Sequence, residues 1–358
     1  MRIDTVQTIP VRVRLDSPIE ALTDALVIVV RLRTDDGAEG LGHIVTLAMR
    51  HLRSFTAAIE ELGELLIGED PRDPERLYRK INPRGNWSGS GGMPTIAASA
   101  LDIAVWDIAA KSASLPLYRL LGGFRDRVPT YASVRLGRNK DTAQLAETAR
   151  SLIEDGWTGM KLNLGAEATP DKEVDRVKMV RGVIGPNAKL MVDVNQNWTV
   201  SQSIRIGRRL EEFELDWIED PTAMHDVAGH EEIARELATP IAIGESNYGI
   251  TPWRELMERR AFDIANVDTM HVGGITPFRK VAAMAEIYGV QVASHVQHEV
   301  NAHVIAAIPN GLIVEEMTWS SPVFRGIPKR AGGELVLSDR PGHGLELDED
   351  YVRANRVE

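Results

Sequence analysis

The chain has 358 residues, of which 43% are hydrophobic and 26% are charged, as in an ordinary soluble globular protein. Its 41 Lys and Arg residues against 52 Asp and Glu give a net charge of −11, which argues against nucleic acid and anionic membranes as partners. The absence of cysteine excludes disulfides, thiolate metal sites and cysteine nucleophiles. The charged, alternating N-terminus lacks the apolar core of a signal peptide, and we expect a cytoplasmic protein.

The first third of the sequence is predicted to form an α+β unit. Alternating apolar residues predict strands at 3–14 and 25–33, and the second strand leads into a turn at 35–37. Helical patterns follow, first amphipathic and then almost continuously apolar, at 52–67, 74–81 and 97–111. The apolar third helix is expected to be buried.

From residue 128 onward, short apolar runs alternate with amphipathic stretches of helix length. Eight such runs are candidate strands, at 128–133, 159–164, 190–194, 215–219, 241–245, 263–267, 290–295 and 311–315. Eight strands with crossover helices favour a parallel barrel. An open doubly wound sheet is the alternative, but it would normally show a glycine-rich phosphate turn after its first strand, and none is present. The tail after Ser321 lacks this rhythm and is expected to pack back on the N-terminal unit.

Asp193, Glu219 and Glu245 each end an apolar run and lie 26 residues apart (219 − 193 and 245 − 219), the spacing of one strand plus one helix. In a parallel barrel, carboxylates at equivalent strand ends converge at the C-terminal mouth. Three convergent carboxylates favour a hard divalent cation, Mg²⁺ first, because it prefers oxygen ligands and leaves positions for water and substrate. Three unrelated surface acids are the alternative, and the regular period argues against it.

Three further strand ends carry titratable groups, namely Lys161, Asp268 and His295. His295 can act as a base because imidazole titrates near neutrality, and Asp268 on the neighbouring strand can orient its ring. Lys161 is expected on the opposite side of the metal from His295. Glu315 ends the last strand, where it would either hydrogen-bond a substrate carboxylate as a protonated acid or form a salt bridge at the rim.

Ordered motifs across the chain resemble those of the mandelate racemase subgroup of the enolase superfamily. They are Lys161-Leu-Asn, Val192-Asp-Val-Asn-Gln, Trp217-Ile-Glu-Asp-Pro, Gly244-Glu, Asp268-Thr-Met-His-Val-Gly-Gly-Ile-Thr and Ser294-His. The apolar helix and the Leu-Leu-Gly-Gly at 120–123 also match, so the resemblance covers nearly the whole chain.

The resemblance implies an α/β protein with a (β/α)₇β TIM-like barrel and an α+β capping domain. The capping domain would comprise residues 1–125, the barrel 126–320, and a C-terminal segment, 321–358, would pack back on the cap. It also implies Mg²⁺ on the three spaced carboxylates and a His295–Asp268 dyad.

One departure from the subgroup's pattern concerns the second barrel strand. Lys161-Leu-Asn163 stands where the subgroup usually has Lys-x-Lys, and the subgroup's second lysine is the base on the face opposite the histidine. Asn163 cannot take up a proton at neutral pH. Asn163 and Asn195 are therefore expected to bind substrate, and Lys161 is expected to act as a local positive charge or as an imperfectly placed base.

A single base favours dehydration over racemisation, which needs two opposed bases. Segments 294–303 and 338–345 resemble those of acid-sugar dehydratases, so the first hypothesis is a lyase that converts an aldonate or aldarate into a 2-keto-3-deoxy acid. The alternatives are a cycloisomerase of a sugar-acid lactone or anhydro-sugar acid, a racemase or epimerase, and a non-catalytic metal-dependent sugar-acid receptor. A homo-oligomer is expected.

Substrate specificity is expected to depend on two capping loops, 15–24 and 44–53, which would close over the barrel mouth. Arg50, His51 and Arg84 are candidates for binding the distal end of the substrate. Solvated positions on the surface are the alternative for all three, because such residues are mostly exposed.

Overall fold

The computed structural model describes residues 1–19, 22–82 and 91–358, in which a parallel barrel is capped by a smaller α+β unit. The smaller unit is an antiparallel meander with helices packed against it. Its strands are β1 (Ile3–Ile19), β2 (Leu22–Thr34) and β3 (Glu39–Thr46). Its helices are α1 (Leu52–Glu64), α2 (Pro74–Ile81), α3 (Met93–Ser112) and α4 (Leu117–Leu120).

The N-terminal elements expected from the sequence are present, with shifted ends. β1 and β2 extend beyond the predicted strands because their connected ends pair with each other, at Arg14 with Asp24 and at Ile19 with Leu22. The predicted turn at 35–37 joins β2 to β3, and Gly37 has a φ of 87° there. α1 ends three residues early, because a turn follows it in which Gly68 has a φ of 79°.

Helix α3 fills the space between the meander and the barrel. It is long and apolar enough to cross a membrane, but 83% of its apolar 18-residue stretch is buried inside the protein. Gly40 and Gly42 on β3 approach it so closely that a Cβ would lie 2.3 Å from Ala104 O and 2.0 Å from Ala100 O, respectively. Only glycine permits this approach. The helix is therefore part of the core, as the sequence predicts.

Eight parallel strands form the barrel, and the last strand closes it by pairing with the first. The strands are β4 (Arg127–Leu136), β5 (Gly159–Asn163), β6 (Lys189–Asp193), β7 (Trp217–Glu219), β8 (Ile241–Ile243), β9 (Ile264–Asp268), β10 (Gln291–His295) and β11 (Gly311–Glu316).

Within the fully described stretch from 127 to 316, each of the seven connections between strands contains helix. The helices are α5 (Thr142–Glu154), α6 (Pro170–Ile184), α7 (Val200–Leu210), α8 (Val227–Glu236), α9 (Thr251–Glu258), α10 (Thr269–Val272), α11 (Ile275–Ile287) and α12 (His298–Ala307). The (β/α)₇β barrel expected from the sequence is confirmed.

The C-terminal tail contacts both the barrel and the meander. Its elements are β12 (Phe324–Arg325), β13 (Lys329–Ala331), β14 (Glu334–Val336), β15 (Glu346–Leu347) and α13 (Glu349–Asn355). The hairpin of β13 and β14 adds to the barrel, because β14 pairs antiparallel with β4. Beyond α13, Arg356 forms a bridge with Val11 of the meander.

The barrel interior is layered, with an apolar plug below a charged layer. The plug consists of Tyr131, Met191, Trp217, Ala242, Ile264, Ala293 and Ile313. Tyr131 and Trp217 pack edge to face, with ring centroids 5.5 Å apart, and Lys161 Nζ lies 5.7 Å from the centre of the Tyr131 ring. The charged groups above the plug therefore rest on a floor of low polarity, which strengthens their electrostatic interactions.

A buried acid in α12, Glu299, joins the meander to the loops at the barrel mouth. Its Oε1 lies 3.0 Å from His43 Nε2 on β3 and accepts a hydrogen bond from Ser320 Oγ. Its Oε2 lies 3.1 Å from His298 Nδ1, which is also 2.9 Å from Met317 O. Burial alone would raise the pKa of Glu299, but His298, His43 and Ser320 lower it from 4.5 to about 2. Glu299 is therefore ionised.

Glu299→Gln is expected to lower the free energy of unfolding at neutral pH by about 1.5–3 kcal/mol, the range for hydrogen bonds to a charged group. Because the folded-state pKa lies below the ordinary value, this contribution is fully present above pH 4.5 and is lost as the pH falls through about 2. Urea unfolding at neutral and acidic pH measures both effects. Glu154→Gln, exposed on α5, is the matched control. Equal stability of the Glu299 variant and wild type at neutral pH would contradict this account.

Candidate active site

Three carboxylates converge at the C-terminal mouth of the barrel. Asp193 and Glu219 are partners in the register of β6 and β7. Ligand oxygens of Asp193, Glu219 and Glu245 all lie within 4.8 Å of one another, and Glu219 is fully buried. The structure thus brings together the three acids that the sequence spacing singles out.

Glu245 reaches this cluster by a route that the spacing does not predict. The partner of Glu219 on β8 is Ala242, and β8 ends two residues before Glu245. Gly244 turns the chain with a φ of 127°, and a Cβ there would lie 2.1 Å from the ring of Trp253. Glu245 therefore lies in a glycine turn after β8, and not at the end of the strand as Asp193 and Glu219 do.

The three acids have the chemistry of a divalent-cation site. Burial, the largest cause, and neighbouring carboxylates raise the pKa of Asp193 to about 6 and the pKa values of Glu219 and Glu245 to about 7. Among the described residues, none hydrogen-bonds Glu245 Oε2. All the ligand atoms offered are oxygens, which Mg²⁺ prefers. A bound Mg²⁺ would relieve the repulsion among these acids, so the residues present fit this ion.

Lys161 lies on the floor of the site, below the end of β5. It is 3% exposed, and its Nζ lies 2.7 Å from both Glu219 Oε1 and Glu315 Oε1 and 3.8 Å from Asp193 Oδ2. Burial alone would lower the pKa of Lys161, but these carboxylates raise it well above its usual value. Lys161 is therefore a fixed positive charge. This differs from the sequence expectation of an imperfectly placed base, because its ammonium group is already paired.

His295 and Asp268 form a hydrogen-bonded pair on neighbouring strands. They are partners in the register of β10 and β9, and His295 Nδ1 lies 2.6 Å from Asp268 Oδ2. Asp268 Oδ1 accepts the backbone N–H of His271 at 2.8 Å, which fixes the carboxylate. His295 Nε2 faces the acid cluster, 3.4 Å from Glu245 Oε2. Burial alone would lower the pKa of His295, but Glu245, Glu315 and Asp268 raise it well above its usual value.

Glu315, at the end of β11, is a charged hydrogen-bond acceptor. Its Oε1 accepts from Ser133 Oγ at 2.6 Å, and its Oε2 accepts the backbone N–H of Val296 at 2.9 Å. Burial alone would raise the pKa of Glu315, but Lys161 and His295 lower it to about 2. Of the two sequence expectations, the salt bridge is present, with Lys161 as the partner at 2.7 Å, although it is buried and not at the rim. The lowered pKa disfavours the alternative of a protonated acid.

The two asparagines, Asn163 and Asn195, hold the Asp193 carboxylate. Asn163 Nδ2 lies 3.3 Å from Asp193 Oδ2, and Asn195 donates its backbone N–H and its Nδ2 to the two oxygens, each at 2.8 Å. Asn195 has a φ of 44°, a left-handed conformation that asparagine adopts more readily than most residues. Both side chains also line the cavity above the acids, where they are accessible to a substrate.

A cavity of about 240 Å³ opens above these groups. Its floor is formed by Lys161, Asn163, Asp193, Asn195, His295 and Glu315. Its walls come from the meander, from β4 with the loop after it, and from the loop after β11, namely Pro18, Ile19, Leu47, Ser133, Val134, Gly137, Arg138, Asn139, Met317 and Trp319. A small molecule above the acids would therefore contact both structural units.

Both capping loops predicted to close the mouth contribute to the cavity, the first through Pro18 and Ile19 and the second through Leu47. Residues 20–21 of the first loop and Arg84 lie outside the described residues. Arg50 and His51 are not among the described lining residues.

Sequence reasoning missed the wall residues that follow the first and last barrel strands. Arg138 and Asn139 follow β4 in the run Leu136-Gly-Arg-Asn, and Trp319 follows β11. A polar pair directly after a predicted barrel strand is a signal that could have identified the first two, because loops at that end of the strands face the site. The sequence around Trp319 carries no comparable signal.

Comparison with known protein families identifies the chain. The model of the mandelate racemase / muconate lactonizing enzyme N-terminal domain matches residues 3–122, and the enolase C-terminal domain-like model matches residues 144–351. The chain belongs to the mandelate racemase / muconate lactonizing enzyme family of the enolase superfamily. The resemblance seen in the sequence motifs is confirmed.

Relatives across the family align over nearly the whole chain. An L-talarate/galactarate dehydratase from Salmonella typhimurium is 35% identical over 332 residues, which cover 93% of this chain and 83% of that protein. A 3,6-anhydro-alpha-L-galactonate cycloisomerase from Streptomyces coelicolor is 34% identical and covers 98% of this chain and 96% of that protein. A crystal structure of the Salmonella enzyme with Mg and L-lyxarohydroxamate has a TM-score of 0.94, at 33% identity, and covers 100% of this chain and 93% of that chain.

Proposed function

We propose that the protein is a Mg²⁺-dependent hydro-lyase that removes the α-proton of a sugar acid and expels its β-hydroxyl group as water. The observation that carries this proposal is a site with one available base. Asp268 holds His295 Nδ1 at 2.6 Å, and the His295 side chain is 18% exposed with Nε2 facing the acid cluster. The Lys161 side chain is 4% exposed and enclosed between Glu219 and Glu315, and Asn163 cannot accept a proton. Relatives named as dehydratases of talarate, galactarate, xylonate and arabinonate support the substrate class.

In this proposal Asp193, Glu219 and Glu245 hold Mg²⁺, which when bound supplies positive charge next to the substrate carboxylate and so makes the α-proton more acidic. Glu245 is one of the carboxylates that raise the pKa of His295, and Mg²⁺ held by Glu245 would offset that charge. Neutral His295 would then donate Nδ1–H to Asp268, which leaves the lone pair on Nε2 directed toward the cavity. Nε2 takes the α-proton as the C–H bond breaks.

The remaining steps conserve all atoms and electrons. The electron pair of the C–H bond forms a double bond between the α- and β-carbons as the β-carbon–oxygen bond breaks. The proton on His295 passes to the departing oxygen, and water leaves. The enol that remains rearranges to a 2-keto-3-deoxy acid.

The other charged groups of the site position the reacting ones. Lys161 holds the carboxylates of Glu219 and Glu315 in place through contacts of 2.7 Å and keeps Glu315 ionised. Glu315 Oε2 lies 3.9 Å from His295 Nε2, where its charge favours the imidazolium formed after proton transfer. Asn163 and Asn195 present amide groups to the substrate hydroxyls.

A second candidate is a cycloisomerase that opens an anhydro-sugar acid or a sugar-acid lactone. The first step would be the same, but the departing oxygen would stay attached to the product. The extent of the match to the Streptomyces cycloisomerase favours this candidate, because it covers 98% of this chain and 96% of that protein. Product analysis separates the two, since only dehydration releases water.

Three further features are part of the proposal. The division into a cap of residues 1–125, a barrel of 126–320 and a returning segment of 321–358 is supported by the family models, which match 3–122 and 144–351. The cytoplasmic location and the homo-oligomeric state come from the sequence alone, and gel filtration with light scattering tests the latter.

A screen of the Mg²⁺-loaded protein against sugar acids, lactones and anhydro-sugar acids in D₂O tests the proposed chemistry. We expect loss of water from one class of sugar acid. Because one base acts on one face, any deuterium in recovered substrate should be introduced with retention at the α-carbon. Appreciable inversion there would reveal a second base and would favour epimerisation over dehydration.

A further inference from the structure

Arg138 is the one guanidinium group among the described residues that line the cavity. It lies two residues beyond the end of β4, and its Nε donates to Leu164 O at 2.5 Å. Its Nη2 donates to Asn195 Oδ1. Among the described residues, none accepts a hydrogen bond from its Nη1. The guanidinium is thus fixed by two contacts and retains donors for a ligand.

Arg138 is also the cation that an anionic ligand can reach. The other permanent cation of the cavity, Lys161, lies 2.7 Å from two carboxylates and 3.8 Å from a third. The imidazole of His295 must be neutral to take a proton. With a net charge of −11 on the chain, an anionic group needs a local positive charge to bind.

One side chain, that of Asn195, links Arg138 to the acid cluster. Asn195 donates Nδ2 to Asp193 Oδ2 at 2.8 Å, and its Oδ1 accepts from Arg138. The guanidinium therefore lies one amide group away from a carboxylate of the candidate metal site. A short sugar acid with its reacting carboxylate at the metal site would extend into the same cavity, and Arg138 is part of the wall of that cavity.

We infer that Arg138 binds a second carboxylate of the substrate, so that the protein prefers sugar diacids, the aldarates, over monoacids. The inference rests on the proposed function, because the first carboxylate must lie at the metal site. A guanidinium suits this task, since its planar donors match the two oxygens of a carboxylate. A monoacid would present a neutral hydroxymethyl group to the same donors.

The test compares a six-carbon aldarate with the aldonate of the same configuration, using wild type and Arg138→Met. We expect wild type to prefer the aldarate. The variant should lose roughly 10- to 150-fold in kcat/KM for the aldarate, the range for hydrogen bonds to a charged group, mainly through KM. The aldonate should change less than about 3-fold, within the range of surface substitutions. Arg138→Lys, which keeps the charge, should recover part of the loss.

Arg135→Met, near the end of β4 just before the loop that carries Arg138 and outside the described cavity lining, is the matched control. An equal loss for aldarate and aldonate in Arg138→Met would overturn the inference, because it would mean that Arg138 only supports Asn195. Calorimetric titration of both acids into the Mg²⁺-loaded protein reports recognition independently of turnover. Failure of wild type to dehydrate either acid would count against the proposed function, whereas tighter binding of the aldarate that depends on Arg138 would still support the inference.

Discussion

His295→Asn is expected to lower kcat by about 10⁴-fold, the upper end of what a general base contributes. In the proposed mechanism the variant deletes the base that takes the α-proton, while asparagine retains polarity at a partly exposed position. Steady-state kinetics on the substrate found by screening measure the loss, and circular dichroism checks the fold. His225→Asn, at an exposed position after β7, should keep wild-type activity.

Asp268→Asn tests the role of Asp268 in positioning His295, separately from the role of His295 as the base. Asp268 contacts His295 Nδ1 at 2.6 Å, so the variant should reduce kcat by about 10- to 100-fold, less than His295→Asn. Because the Asp268 charge raises the pKa of His295, its removal should also move the acidic limb of kcat/KM to lower pH. A variant with a wild-type rate and an unmoved pH profile would show that Asp268 has no such role, and wild-type rates in both variants would exclude His295 as the base.

Glu219→Gln is expected to abolish turnover and to weaken Mg²⁺ binding by more than the ~10–100-fold typical of changes to groups behind metal ligands. The substitution keeps the volume of the side chain, so no cavity forms. It introduces an amide N–H group at a fully buried position in a cluster that otherwise offers only oxygens to a cation. Calorimetric titration with MgCl₂ measures the affinity directly, without reference to activity.

Thermal unfolding gives a second measure of the metal site. Mg²⁺ should raise the Tm of wild type, because a ligand that binds only the folded state stabilises it, and EDTA should reverse the rise. Glu219→Gln should show little change with Mg²⁺, whereas Glu258→Gln, exposed at the end of α9, should behave as wild type. Full activity of wild type in metal-free buffer would contradict the proposed mechanism.

The positions of the chemical groups along the chain were largely predictable. Asp193, Asp268 and His295 end strands β6, β9 and β10, and parallel strands bring residues at their C-terminal ends to one mouth. The repeat of strand and helix is a local property of the apolar pattern. For this reason eight strand candidates, their order and the barrel could be derived before any contact was known.

The ionisation states of the same groups were not predictable, because each depends on neighbours distant in sequence. Glu315 is ionised since Lys161, 154 residues earlier (315 − 161), lies 2.7 Å away. The same contact pairs the ammonium group of Lys161, which the sequence alone allowed as a possible base. Burial over an apolar plug and proximity to several carboxylates are tertiary properties, and they decide which acid or base is available.

The sequence by itself determined the fold class, the family, the convergent acids and the asparagine at position 163 where the subgroup usually has a lysine. Only the tertiary structure decided how Glu245 reaches the cluster, since the glycine turn after β8 acts through its contact with Trp253. It also decided that Arg138 lines the cavity above the acids, because that depends on two hydrogen bonds to residues 164 and 195. The periodicity of apolar residues indicates which face of a helix or strand is buried. Contacts between side chains of different loops produce no periodic pattern in the sequence.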